Sequence, residues 1–172
     1  MDKGVFFFIR EEFFIKYDLD GSLMKNKGNG NKRPCFYAFQ DKNNSDIYWC
    51  VPISSRVEKY ESIVQHKILR QKQKGNKNPK CNTIRFSEVL GQKRAFLIQN
   101  MFPITSRYID CIYMEKDVEI EVRVSKIDEK DIIKNAKEVQ KLVFNGYSRL
   151  IFNDVQKIYN DLMIELDYSE EL

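Results

Sequence analysis

No segment of this chain restricts its fold more than Lys32 to Ser55. Two runs rich in aromatic and β-branched residues, 34–40 and 47–51, flank the turn cluster Asp41-Lys42-Asn43-Asn44-Ser45-Asp46, which predicts an antiparallel hairpin. Pro34 lacks a ladder donor and so fits the first position of the leading strand. The basic pair Lys32-Arg33 opens that strand, and the hydroxyl pair Ser54-Ser55 follows its partner. Antiparallel pairing sets the start of one strand beside the end of the other. Two cations and two hydroxyls then meet at one end of the sheet, a combination suited to holding a phosphodiester.

The chain has 172 residues, 42% apolar and 31% charged, which fits one folded domain spanning 1–172 with a proper core. Its longest apolar run, Val5 to Ile9, is too short to cross a bilayer, and Arg10-Glu11-Glu12 follow with no small-residue cleavage site. A signal peptide is therefore not expected, and a cytoplasmic location is. Cys35, Cys50, Cys81 and Cys111 form no CxxC pair and have no histidine at ligand spacing, so neither a metal nor another cofactor is expected.

Net charge is +4, but it is unevenly spread. Residues 25–94 carry 16 Lys and Arg against 5 Asp and Glu, and Lys67, Arg70, Lys72, Lys74, Lys77 and Lys80 follow one another with no acid between them. Such a cluster is the footprint of a polyanion partner or, more plainly, a solvated helix end and loop. A membrane partner is not expected, because no basic amphipathic face carries exposed Trp or Phe.

Elsewhere, Val5 to Ile9 reads as a buried strand and 11–17 as a short helix. A long polar loop follows at 18–31, with Lys25 and Lys27 available to bind RNA. Ser55-Arg56-Val57-Glu58 matches a capping box with Ser55 at the N-cap, opening a helix over about 56–71. Strands are predicted at 83–86 and 95–104, and alternation over 118–124 suggests an edge strand or arm. Ser125 with Asp128 starts a helix that Asn145-Gly146 stops, and a last helix spans about 152–165.

Mononucleotide-binding, serine-hydrolase and zinc-protease motifs are absent, and Glu58, Glu61 and Glu88 form no spaced carboxylate set for two-metal chemistry. Phosphodiester cleavage here would be metal-independent, which points to RNA, whose 2′-hydroxyl is an internal nucleophile. Arg33 and Lys32 suit stabilisation of a pentacovalent phosphate, with Ser54 as a hydrogen-bond donor beside a helix N-terminus. His66, the single histidine, lies off the helix's apolar face and is either solvated or a general acid/base. Tyr17 and Trp49 are either core residues or platforms for RNA bases.

The order Arg33-Pro34 at a strand start, a hairpin, then Val51-Pro52-Ile53-Ser54-Ser55 before a helix resembles the ToxN/AbiQ endoribonucleases of type III toxin–antitoxin systems, in particular their CptN branch. More distantly it is similar to the MazF/PemK toxins. The resemblance implies an α+β domain: an SH3-like antiparallel barrel with inserted helices and C-terminal helices. It implies cleavage of single-stranded mRNA to 2′,3′-cyclic phosphate and 5′-hydroxyl ends, and inhibition by an antitoxin RNA of pseudoknot repeats in a closed alternating assembly. The family's hydroxyl pair falls on Ser54 and Ser55, its strand-start cation on Arg33 or Lys32, and its following cation on Arg56 or Lys59. A tyrosine of the family's first helix meets Phe14, with Tyr17 nearby. The alternatives are a non-catalytic RNA-binding module and a DNA-binding regulator that uses the 56–71 helix.

Overall fold

The computed structural model describes residues 3–18, 20–26 and 32–170. The elements in order are β1 (Phe6–Ile9), α1 (Glu11–Tyr17), β2 (Cys35–Gln40), β3 (Ile47–Ser54), α2 (Val57–Gln73), β4 (Arg85–Val89), β5 (Gln92–Phe96), β6 (Phe102–Thr105), β7 (Ile109–Ile112), α3 (Lys126–Phe144) and α4 (Val155–Glu170). The strands form one antiparallel sheet in the order β4-β5-β3-β2-β1-β7, with β6 also paired to β3. The result is a mixed fold of an antiparallel sheet and, among the described residues, four helices, with β3 paired to β2, β5 and β6.

The predicted hairpin is present, with Cys35 opposite Pro52, Phe36 opposite Val51 and Tyr37 opposite Cys50. A one-residue irregularity then shifts the register, so that Phe39 faces Trp49. β3 runs three residues past the predicted end. Its first half pairs with β6, and Ile53 and Ser54 pair with Phe96 and Ala95 of β5. Pro52 falls at this changeover of partners, where a missing N–H interrupts neither ladder.

The predicted strand over 95–104 divides in two. β5 ends at Phe96, a 3-10 turn covers Ile98–Asn100, and β6 follows. β4 and β5 form a second hairpin, in which Val89 faces Gln92 across the two-residue turn Leu90-Gly91. Both turn residues have positive φ, 50° and 68°, the mirror-type turn that matches strand twist. Residues 118–124 form no strand. One isolated bridge joins Met114 to Glu121, while Val122 and Val124 turn inward.

Aromatic side chains dominate the interior. Phe6, Phe7, Phe13, Phe36, Trp49, Phe96 and Phe102 are all fully buried. α3 lies against β2 and α4 against β6. The Ser125 side chain accepts from the Asp128 N–H at 3.1 Å, the predicted cap. α2 lies against β5 over a small separate cluster of Tyr60, Cys81, Ile84, Ala95 and Leu97. Only Tyr60 of α2 is fully covered, so the helix presents most of its basic surface to solvent. Among the described residues, no helix is long and apolar enough to cross a membrane.

Candidate active site

At the open end of the β2–β3 hairpin lies a cavity of about 570 Å³, lined by Lys32, Arg33, Pro34, Ile53, Ser55, Val89, Leu90, Gln92, Arg94 and Tyr113. The hairpin register creates it. With Cys35 opposite Pro52, the residues before β2 and those ending β3 share one edge, and the β4–β5 turn closes the far side. Three cations line the cavity and, among the described residues, no carboxylate does.

Arg33 is held by backbone acceptors. Its Nη1 donates to the Ile53 carbonyl at 2.9 Å and its Nε to the Lys25 carbonyl at 3.4 Å, while its own N–H donates to Asn26 Oδ1 at 2.9 Å. Among the described residues it makes no ion pair, so its charge is uncompensated and its remaining N–H donors are free for a ligand. Lys32 differs: its Nζ donates to Asp110 Oδ2. Donating this hydrogen bond to the carboxylate raises the Lys32 pKa, and accepting it lowers that of Asp110. The ion pair thus favours the charged form of Lys32.

The hydroxyl pair is arranged differently from the capping-box expectation. Ser55 is not the N-cap of α2. That position is Arg56, with no side-chain cap hydrogen bond. It is Ser54, buried at 6% exposure, whose Oγ accepts from the Arg56 N–H at 3.2 Å. Ser55 is exposed and lines the cavity. β3 extends to Ser54 rather than ending near Val51, which moves the helix start one residue along and exchanges the two serines' environments.

Several candidates fall elsewhere. Trp49 is fully buried, its Nε1 donating to Asp41 Oδ2 at 2.9 Å, so it offers no face to a base. Tyr17 is likewise covered, its hydroxyl donating to Glu165 Oε2 at 2.5 Å. Phe14 is core. His66 is exposed on α2 and does not line the cavity, nor do the exposed Arg56 and Lys59. The Lys59 ammonium lies over the Tyr60 ring. Lys25 is exposed near Asp18, whereas Lys27 lies outside the described residues. Lys67, Arg70 and Lys80 line a second groove, and Lys72, Lys74 and Lys77 are exposed outside it.

Two cavity residues were not singled out in the sequence. Arg94, half-buried on β5, donates to Gln92 Oε1 and forms no ion pair among the described residues. Tyr113 follows β7 and packs its ring against Phe8 at 5.2 Å between centroids. Neither sits in a recognisable motif. The one local sign is Leu90-Gly91, a turn whose glycine could have revealed the β4–β5 hairpin and hence the inward placement of Arg94.

This fold is one found in toxins of type III toxin–antitoxin systems. AbiQ, a lactococcal anti-phage endoribonuclease belonging to such a system, is 13% identical and superposes with a TM-score of 0.67 over 96% of this chain and 99% of its own. A bacterial type III toxin–antitoxin structure, described for selective toxin inhibition by a non-coding RNA pseudoknot, is 17% identical with a TM-score of 0.52, covering 83% of this chain and 80% of that one. The ToxN/AbiQ resemblance seen in the sequence is therefore matched at the level of fold. No protein-family profile matches the chain, and no curated protein matches it in sequence.

Proposed function

We propose that this protein is the toxin of a type III toxin–antitoxin pair, a metal-independent endoribonuclease held inactive by a pseudoknot-repeat RNA in a closed alternating complex. The observation that carries the proposal is the cavity at the hairpin end, where Lys32, Arg33, Arg94, Ser55 and Tyr113 converge with no carboxylate in the lining among the described residues. The toxin fold of AbiQ supports it, as do Arg33-Pro34 and Pro52-Ile53-Ser54-Ser55, which also favour a CptN-like branch and an SH3-like, MazF/PemK-related sheet core.

The chemistry suited to this lining is attack of a ribose 2′-oxygen on the adjacent phosphorus. The 2′-O–P bond forms, the P–O5′ bond breaks, the 2′-hydroxyl loses its proton to solvent water and O5′ gains one. Arg33 and Arg94 flank the non-bridging oxygens and stabilise the charge of the pentacovalent state, a contribution on the order of 100- to 1000-fold per donor. Ser55 donates a hydrogen bond to the same phosphate. Tyr113 brings a phenolic O–H to the cavity and supplies the proton to O5′. Lys32, kept charged by Asp110, adds to the field. Ser54 supports this group by fixing the chain's turn into α2. Lys25, Lys59, Lys72, Lys74 and Lys77 draw RNA to the surface; Arg56 at the N-cap of α2 is a secondary contact, and His66, exposed along α2, takes no part in the chemistry.

The test is incubation of purified protein with single-stranded RNA and with DNA of the same sequence in excess EDTA. RNA alone should be cleaved, and Arg94→Ala and Tyr113→Phe should each retain RNA binding while losing cleavage. Binding without any turnover would instead make the protein a non-catalytic RNA-binding module.

A further inference from the structure

Toward the C-terminal end of α2, away from the cavity, lies a groove of about 600 Å³ walled by α2, the 76–83 loop, α3 and the turn at Ser148–Leu150. Lys67, Arg70, Lys80 and Arg149 line it, and none of them makes an ion pair among the described residues. Its one acid among those residues, Glu138, accepts from Asn82 Nδ2 at 3.1 Å.

Lys67 gives this groove its meaning. The side chain is half-buried, and its Nζ donates to Thr83 Oγ1 at 2.8 Å and Gln99 Oε1 at 2.7 Å. Both partners are neutral, and an ammonium has three N–H donors, so one has no protein acceptor. Burial pulls the Lys67 pKa below its ordinary value. A cation withdrawn from water without a counter-anion is unfavourable, and an incoming anion relieves that cost.

The surroundings suit a nucleotide. Gln71 pins the loop, donating to the Lys80 carbonyl at 2.8 Å and accepting from Asn76 Nδ2 at 3.0 Å and the Lys80 N–H at 3.2 Å. The Asn78 N–H donates to Asn76 Oδ1 at 3.0 Å, while its side-chain carboxamide makes no hydrogen bond among the described residues and remains available to a base edge. The Phe152 ring lines the groove at 63% exposure.

We propose that this groove is a second, nucleotide-sized anchor for single-stranded RNA, with Lys67, Arg70, Lys80 and Arg149 on the phosphates, Phe152 stacked on an unpaired base and Asn78 on its edge. The proposal rests on reading the chain as a ribonuclease. Ring and amide contacts of this kind need splayed bases, because in an A-form duplex the base faces are stacked and the major-groove edges lie in a deep, narrow groove. Lys67 and Arg70 lie ten and thirteen residues beyond Val57, about 15–20 Å along α2 at 1.5 Å per residue. A single strand extending a few nucleotides past the scissile step therefore reaches both sites.

The test uses two RNAs around a site mapped with the wild-type protein: a four-nucleotide RNA covering the scissile step and a twelve-nucleotide RNA extending past it on both sides. Arg70→Ala/Arg149→Ala should cleave the short RNA like wild type. On the long RNA it should lose about tenfold or more in affinity, with the salt slope of log K shallower by about 1.4 for two lost phosphate contacts. Phe152→Ala should weaken the long RNA about 5- to 100-fold. Unchanged affinity and slope for the long RNA would overturn the proposal, as would an equal loss from Lys42→Ala/Lys116→Ala, two exposed cations that line neither the groove nor the cavity. If wild type cleaves neither RNA, the ribonuclease reading fails, and the binding measurements still decide the groove, using twelve-nucleotide RNAs of mixed sequence.

Discussion

Ser54→Ala and Ser55→Ala should have opposite phenotypes. Ser54 Oγ accepts from the Arg56 N–H at 3.2 Å and is buried, so its removal leaves a backbone donor unpaired at the start of α2. Loss of such a side-chain-to-backbone bond costs about 0.5–2 kcal/mol. For a chain of this length each kcal/mol lowers Tm by about 2–4 °C, giving a fall of roughly 1–8 °C. The folded fraction should still cleave RNA within about threefold of wild type, since the hydroxyl does not line the cavity. Ser55 is exposed and makes no hydrogen bond among the described residues through its side chain. Ser55→Ala should leave stability within about 0.5 kcal/mol of wild type. If its hydroxyl meets the phosphate in the transition state, kcat/KM should fall on the order of 100-fold. Thermal melts and single-turnover cleavage on both variants give the comparison. A Ser54→Ala protein that melts normally but is inactive, beside a fully active Ser55→Ala, would refute the reasoning.

Other positions give further checks. Asp41 accepts from Trp49 Nε1, Tyr159 OH at 3.0 Å and Gln140 Nε2 at 3.3 Å, so Asp41→Ala should destabilise the fold by about 2–4 kcal/mol without changing RNA affinity of the folded protein. At Glu165, burial raises the pKa, but hydrogen bonds from Lys16, Tyr17 and Tyr108 outweigh it and hold the carboxyl below its ordinary value. A depressed carboxylate pKa contributes stability above the unfolded-state pKa and loses it as pH falls through the folded one. The Tm gap between wild type and Glu165→Gln should accordingly be full at neutral pH and close in acid; a gap constant with pH would contradict this. His66→Ala should leave cleavage and its pH profile unchanged, because the imidazole sits nine residues along α2 from Val57, about 14 Å from the helix start.

The sequence revealed the structure where local chemistry and tertiary context agree. Aromatic strands around a polar turn gave the hairpin, and Ser125 with Asp128 gave the start of α3. It was misleading where context overrides local pattern. The capping signature at Ser55-Arg56-Val57-Glu58 gives way because β5 pairs with Ile53 and Ser54 and draws β3 onward. Alternation over 118–124 forms no ladder: Glu119 has a positive φ of 51°, which breaks the extended run, and one bridge joins Met114 to Glu121. Half of the candidate site was legible because Lys32, Arg33 and Ser55 belong to one hairpin. Arg94 and Tyr113 reach the cavity through long-range pairing, which no local pattern encodes. Trp49 and Tyr17 read ambiguously as core or base platforms, and burial decides for core.

The central claim is that the hairpin-end cavity cleaves RNA through the substrate's own 2′-hydroxyl. Its most direct test is a substrate with a single 2′-deoxyribose at the mapped cleavage position, digested in EDTA, with product ends identified by mass spectrometry. The account predicts 2′,3′-cyclic phosphate and 5′-hydroxyl ends from the all-ribose strand and no cleavage at the deoxy position. Cleavage of the deoxy strand at an undiminished rate, or products ending in 3′-hydroxyl and 5′-phosphate, would contradict it.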